Sequence, residues 1–157
     1  RNADINLTGD IDGLVALAGG SVGDAVRLTN LEGMKIYQSI LSVLKTMPRF
    51  DRQLAVALAE STTRRGAEEQ RALLFSLLNT VLAKIARAGV LLPDGPEVVK
   101  GENDLFQRLC PNAASAQKWA YTAQEISDRN QHGLAVNLDP AALILDTIFK
   151  IQKTVEG

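Results

Sequence analysis

Residues 132–155 read HGLAVNLDPAALILDTIFKIQKTV and contain the most clearly marked helix start in the chain. Asp139 can accept hydrogen bonds from the free N–H groups of a first helical turn. Pro140 suits the first helical position, because the N–H that proline lacks would be unpaired there. Apolar residues then recur at helical spacing, at Ile144, Ile148, Ile151 and Val155. The stretch predicts a helix that begins at about Pro140 and packs a broad apolar face against other helices.

The apolar stripe of this helix is wider than a single packing contact requires. Leu143, Leu145 and Phe149 flank the four stripe residues, so we expect the stripe to face the domain's own core. Leu143 or Phe149 would then be available to a neighbouring subunit. The simpler interpretation is a helix packed entirely on its own domain.

Composition predicts an all-α fold. The 157 residues are 46% hydrophobic but only 4% aromatic, and this mixture of Ala, Leu, Val and Ile suits stacked helices better than a β-sandwich. A formal net charge of −1 argues against a surface built throughout for nucleic acid, so any contact with nucleic acid would be local or indirect. No apolar run approaches the roughly 20 residues of a membrane span, and the first residues lack a signal-peptide pattern. We expect a cytoplasmic protein.

Capping residues, apolar stripes and helix-breaking residues mark the remaining predicted helices. A helix after Leu31 should end before Pro48, and Asp51 should cap the next one, which Arg64, Arg65 and Gly66 break. A long helix is expected from about Ala67 to Ala88, followed by an exposed irregular connection over 89–101. Beyond it, the patterns predict a short helix with Leu105, Phe106 and Leu109 inward, and a longer one with Trp119 in the core.

The apolar helical patterns in the first 30 residues are shorter than those in the rest of the chain. Gly19 and Gly20 should end a short helix, and Ser21 can cap the next. A serine after glycines at a helix N-terminus can also bind a phosphate, but the segment has no Walker-spaced lysine, and a plain cap is the preferred interpretation. A domain boundary near Asn30 is predicted.

Spacing alone yields no catalytic, cofactor-binding or metal-binding residues. The single cysteine, Cys110, excludes an internal disulfide and, with the single histidine, His132, cannot supply a zinc site. His132 is better explained as part of a helix C-terminus than as a base or ligand. The acidic residues considered for acid–base work lie in charged or loop contexts, without apolar surroundings that would tune them for such work; they are Glu68, Glu69, Asp94, Glu97, Glu102 and Asp104.

Two separated stretches resemble clamp-loader subunits of the AAA+ class. Residues 17–28, LAGGSVGDAVRL, resemble the last helix of the lid domain in these subunits, and residues 132–152 resemble the closing turn and helix of the collar in the delta prime group of bacterial DNA polymerase III. In the motor subunits a sensor arginine follows three residues after the position of Gly20, whereas this chain has Gly23 there. Arg27 lies one turn further along and does not take that role.

The resemblance implies a lid remnant over residues 1–30 and a helical collar over 31–157. It also implies that the chain joins other clamp-loader subunits, of the tau/gamma and delta types, in a pentameric collar. The collar would hold together the clamp loader, which loads the sliding clamp during DNA replication. Contact with the clamp and with primed DNA would be indirect, no membrane partner is implied, and the subunit would act as a stator that hydrolyses no nucleotide. The alternatives are a collar of the tau/gamma or delta type and an unrelated all-helical adaptor; an enzyme would require a buried polar cluster around His132.

Overall fold

The computed structural model of the chain describes residues 13, 16–18, 29, 32–93 and 95–157, and these residues form an all-helical domain. Within that part of the chain there is no β-strand, and the predicted all-α class is confirmed. Among the described residues six α-helices have bounds that the structure gives, and a single turn of 3₁₀-helix, Ser61–Thr63, follows the second of them. The six are α1 (Gly33–Lys45), α2 (Arg52–Glu60), α3 (Glu68–Ala88), α4 (Glu102–Leu109), α5 (Ala113–Ala135) and α6 (Pro140–Glu156).

Side-chain caps fix the start of three helices. Asp51 Oδ1 accepts hydrogen bonds from the backbone N–H groups of Gln53 at 2.8 Å and Leu54 at 3.2 Å, as predicted. Asp139 Oδ1 accepts one from Ala141 at 3.1 Å, with Pro140 at the first helical position. Asn112 Oδ1 caps α5 by accepting from the Ser115 N–H at 2.9 Å, a cap that was not predicted.

The long helix α3 is the centre of the domain. It packs against α1, α4 and α5, while α6 covers α2 and α5. Trp119 of α5 is buried, as predicted, and its indole Nε1–H donates a 2.9 Å hydrogen bond to the carbonyl of Leu109, which satisfies the polar atom of the ring. The core is therefore one continuous cluster that draws residues from all six helices.

Several predictions fall on residues that lie outside the described part of the chain. These are the turn at Gly19 and Gly20, the cap at Ser21, and the positions of Gly23, Arg27 and Asp94. Of the segment 1–30, residues 13, 16–18 and 29 are described, and Ala16, Leu17 and Ala18 pack against the core cluster. The predicted boundary near Asn30 stays a prediction. None of the helices in the described ranges combines the length and apolarity that a membrane span requires.

Candidate interaction surfaces

A tight turn joins α5 to α6 in the segment that carries the resemblance. Asn137 adopts the left-handed conformation, with φ 60°, and its N–H donates to the carbonyl of Leu134. The N–H of Leu138 donates to the carbonyl of Gly133 at 2.8 Å. These two bonds form a Schellman motif, in which asparagine takes the place that glycine usually holds. Because the Asp139 cap follows at once, the sequence NLDP ends one helix and starts the next.

Gly133 allows α6 to approach α5 closely, and this buries Leu143. A Cβ atom added at Gly133 would lie 2.8 Å and 3.0 Å from the two terminal methyl groups of Leu143. Leu143 is only 4% exposed. The expectation that Leu143 is available to a neighbouring subunit is therefore wrong, because a glycine stands opposite it and its side chain fills the space between the helices.

Phe149, the other predicted interface residue, lies on the surface. Its side chain is 52% exposed, and its ring meets that of Phe50 edge to face, with centroids 5.4 Å apart and planes at 77°. Nearby, the side-chain amide of Gln152 donates a 2.8 Å hydrogen bond to the carbonyl of Pro48. We call the Phe50 and Phe149 pair the aromatic edge. It joins α6 to the connection between α1 and α2.

Polar pairs also set how α5 and α6 lie against each other. The buried Asn130 and Thr147 side chains bond to each other, with the amide Nδ2 donating to Oγ1 at 3.0 Å. At the surface, Lys150 Nζ lies 2.7 Å from Glu125 Oε1, and this ammonium group lowers the pKa of the Glu125 carboxyl. The buried pair satisfies two polar side chains inside the interface of the two helices, while the exposed ion pair contributes little to stability.

A buried carboxylate, Glu102, lies between α1, α3 and α4. Its Oε1 accepts hydrogen bonds from the Tyr37 hydroxyl at 3.0 Å and the Val99 N–H at 2.9 Å, and its Oε2 accepts from Lys84 Nζ at 3.2 Å. We call Tyr37, Lys84 and Glu102 the Glu102 cluster. Glu102 was predicted to lie in a charged or loop context, but it is the first residue of α4 and is buried, because the fold places it beside groups from two distant helices.

The Glu102 cluster holds its tyrosine in the protonated form. Burial, followed by the neighbouring Glu102 carboxylate, raises the pKa of Tyr37 well above its usual range. The ammonium of Lys84 lies 3.3 Å from the Tyr37 oxygen and 5.4 Å from the ring centroid. The cluster thus combines one carboxylate, one ammonium and one neutral phenol, in which the formal charges of the first two cancel.

The cluster borders a cavity between α3 and α4. Its volume is about 310 Å³, at the lower end of the range for small-ligand sites, and the connection between the helices covers part of it. Arg87 and Phe106 line the cavity, together with Leu91 and Leu92 of the connection. We call it the α3–α4 cavity.

Cys110 and His132 lie in different environments. Cys110 is fully buried, and burial raises the pKa of its thiol. His132 is exposed in the last turn of α5. Among the residues that the structure describes, no group of three or more His, Cys, Asp or Glu side chains is placed to hold a metal ion.

Comparison of the chain with protein-family models, curated proteins and solved structures finds no match in any of the three.

Proposed function

We propose that this chain is the collar part of a clamp-loader subunit of the delta prime type. It would act as an oligomerisation module that holds its subunit in the pentameric loader of bacterial DNA polymerase III. The observation that carries the proposal is the NLDP turn, since the residues that resemble the family's closing segment form a Schellman motif followed directly by a capped helix. An all-helical domain is the architecture that this resemblance implies.

The aromatic edge supplies the proposed contact with a neighbouring subunit. Phe149 is half exposed on α6, and a large aromatic side chain at the surface is typical of the residues that dominate protein interfaces. Leu143 has no part in this contact, because it is buried inside the domain. The contact would be head to tail with a non-identical subunit of the tau/gamma or delta type, so the isolated chain need not assemble with itself.

In the proposed role the chain supports motor subunits in the cytoplasm and hydrolyses no nucleotide itself. Gly23, where motor subunits have a sensor arginine, motivates this part of the proposal. The chain would reach the sliding clamp and primed DNA only through the assembled loader.

Sedimentation velocity with the partner subunits tests the proposal. Alone at tens of micromolar, the chain should sediment as a monomer or weak dimer. Mixed with clamp-loader subunits of the tau/gamma and delta types, it should enter a larger complex, because stable interfaces have dissociation constants on the order of nanomolar to micromolar. A chain that stays monomeric in this mixture contradicts the proposal.

Matched variants locate the contact. Phe149→Lys should weaken the mixed complex at least tenfold, because it places a charge in an apolar interface. Phe149→Leu keeps an apolar side chain without the ring pair and should retain most of the affinity. Ala83→Lys adds the same charge on the exposed side of α3 and should leave assembly unchanged. Equal affinities for Phe149→Lys and the unchanged chain would exclude the aromatic edge as the contact.

A further inference from the structure

The α3–α4 cavity has one helix face on each side. Lys84, Arg87 and Ala88 line it from α3, at helical spacing of three and four residues, and Asn103, Phe106 and Gln107 line it from α4 in the same way. The cavity therefore presents side chains from two rigid elements, which can hold a ligand more precisely than loops can.

The carboxylate bordering this cavity is already satisfied. Glu102 accepts hydrogen bonds from Tyr37, Val99 and Lys84, and the positive charge of Lys84 offsets its negative charge. Glu102 is also almost completely buried. It is therefore part of the wall, and a ligand in the cavity would meet other groups.

The polar side chains left facing the cavity all carry hydrogen-bond donors. Arg87 forms no ion pair with any residue in the described ranges. Within the same ranges, the side-chain amides of Asn103 and Gln107 have no hydrogen-bond partner; only the backbone N–H of Asn103 is engaged, by Glu97. A guanidinium and two amides along one cavity favour a carboxylate, because arginine presents a fork of donors that matches its two oxygens.

The rest of the lining is apolar. Ala88 of α3 and Phe106 of α4 line the cavity from the helices, and the connection contributes Leu91, Leu92 and two prolines. Leu92 is 87% exposed and Leu91 60%, so these leucines, which line the cavity, are largely open to solvent. Neighbouring exposed leucines beside a cavity mark a surface that a ligand can cover.

We propose that the α3–α4 cavity binds an acidic, leucine-containing peptide segment of a partner protein. A carboxylate of the peptide pairs with Arg87 and the amides of Asn103 and Gln107, and a neighbouring leucine side chain packs over Phe106, Leu91 and Leu92. The volume of about 310 Å³ accommodates one or two side chains rather than a folded element or a large cofactor. The inference is independent of the aromatic edge, which lies on α6 and the connection between α1 and α2.

A titration followed by amide chemical shifts tests the proposal on the full chain. The probe is the capped tetrapeptide acetyl-Asp-Leu-Leu-Glu-amide, and its expected dissociation constant is about 0.1–1 mM, with shifts concentrated in residues 84–107. The neutral analogue acetyl-Asn-Leu-Leu-Gln-amide and the polar analogue acetyl-Asp-Ser-Ser-Glu-amide should each bind about tenfold more weakly. Equal binding of either analogue, or no binding of the first peptide up to several millimolar, overturns the proposal.

Variants of exposed residues separate binding from folding. Arg87→Gln should weaken binding about tenfold, whereas Arg65→Gln, which removes the same charge from an exposed turn, should leave it unchanged. Gln107→Trp fills the mouth of the cavity from an exposed helix position and should abolish binding with an unaltered thermal midpoint. Affinity that survives both Arg87→Gln and Gln107→Trp contradicts the assignment. Displacement of the peptide by 4-methylpentanoate at an equal or lower concentration would assign the cavity to small carboxylates and overturn the peptide proposal.

Discussion

Tyr37 is fully buried and lies beside a carboxylate. Its hydroxyl donates to a buried carboxylate, and hydrogen bonds to charged groups contribute about 1.5–3 kcal/mol. We expect Tyr37→Phe to lower the free energy of unfolding by that amount at neutral pH. Chemical denaturation measures the change, and Tyr121→Phe, at an exposed tyrosine, is the matched control with an expected effect below about 0.5 kcal/mol.

The raised pKa of Tyr37 also predicts the direction of an alkaline pH dependence. Below the ordinary tyrosine pKa of about 10, both the folded and the unfolded chain keep the phenol proton, and the stabilisation is fully present. Above it the unfolded chain releases the proton while the folded chain retains it, so the free energy of unfolding falls as pH rises. The slope should be smaller in Tyr37→Phe by up to about 1.4 kcal/mol per pH unit. Identical slopes above pH 10 would show that Tyr37 titrates normally.

The side chain of Asp139 caps the start of α6. Its carboxylate accepts the Ala141 N–H at 3.1 Å, and replacing such a cap by alanine typically costs about 1 kcal/mol. Asp139→Ala should therefore lower the denaturation midpoint while helix content by circular dichroism stays the same. Asp128→Ala removes the same charge from the exposed side of α5 and should change the free energy of unfolding by less than about 0.5 kcal/mol.

At the scale of elements, the Asn130 and Thr147 pair fixes α6 against α5. Thr147→Val keeps the side-chain shape but leaves the buried Asn130 amide without its partner, which costs about 1–3 kcal/mol. Thr80→Val, whose hydroxyl bonds only to the carbonyl of Ser76 in its own helix, is the control and should have little effect. Combining Asn130→Leu with Thr147→Val should restore much of the loss, since both partners are then apolar. A double variant less stable than Thr147→Val would contradict this account.

Elements marked by local chemistry could be predicted from the sequence, and contacts between distant elements could not. The caps at Asp51 and Asp139 act within three residues of their own position, and the structure has them as predicted. Leu143 was misassigned because its burial depends on Gly133 in another helix, a contact that no helical period reveals. The Glu102 cluster was missed for the same reason, since positions 37, 84 and 102 meet only in the folded domain.

The α3–α4 cavity could not be predicted from the sequence either. The sequence predicts only that the connection over 89–101 is exposed and irregular. The faces of α3 and α4 that complete the cavity take their positions from the packing of the whole core. For the aromatic edge, Phe149 was one of the two α6 residues predicted to be available at the surface, whereas its ring partner Phe50, in the connection after α1, was not predicted.

At the scale of the whole molecule, Cys110 reports on opening of the core. It is the single cysteine, it is fully buried, and burial raises the pKa of its thiol, so the reactive thiolate is scarce at neutral pH. We expect an aromatic disulfide reagent to label the folded chain with a half-life of hours and the urea-unfolded chain at once. Complete labelling of the folded chain within minutes would mean that this part of the core opens locally.

The connection between α3 and α4 carries exposed apolar residues over a core that is continuous beneath it. A protease that cuts the exposed chain at Leu91 or Leu92 would break the covalent link between α1–α3 and α4–α6 without removing their packing contacts. Packing of α3 on α5, of α2 on α6, and the bonds of the Glu102 cluster would still join the two pieces. The domain can thus be viewed as two complementary fragments of three helices, which should reassociate from a mixture of the separate peptides and run as one species on a native gel.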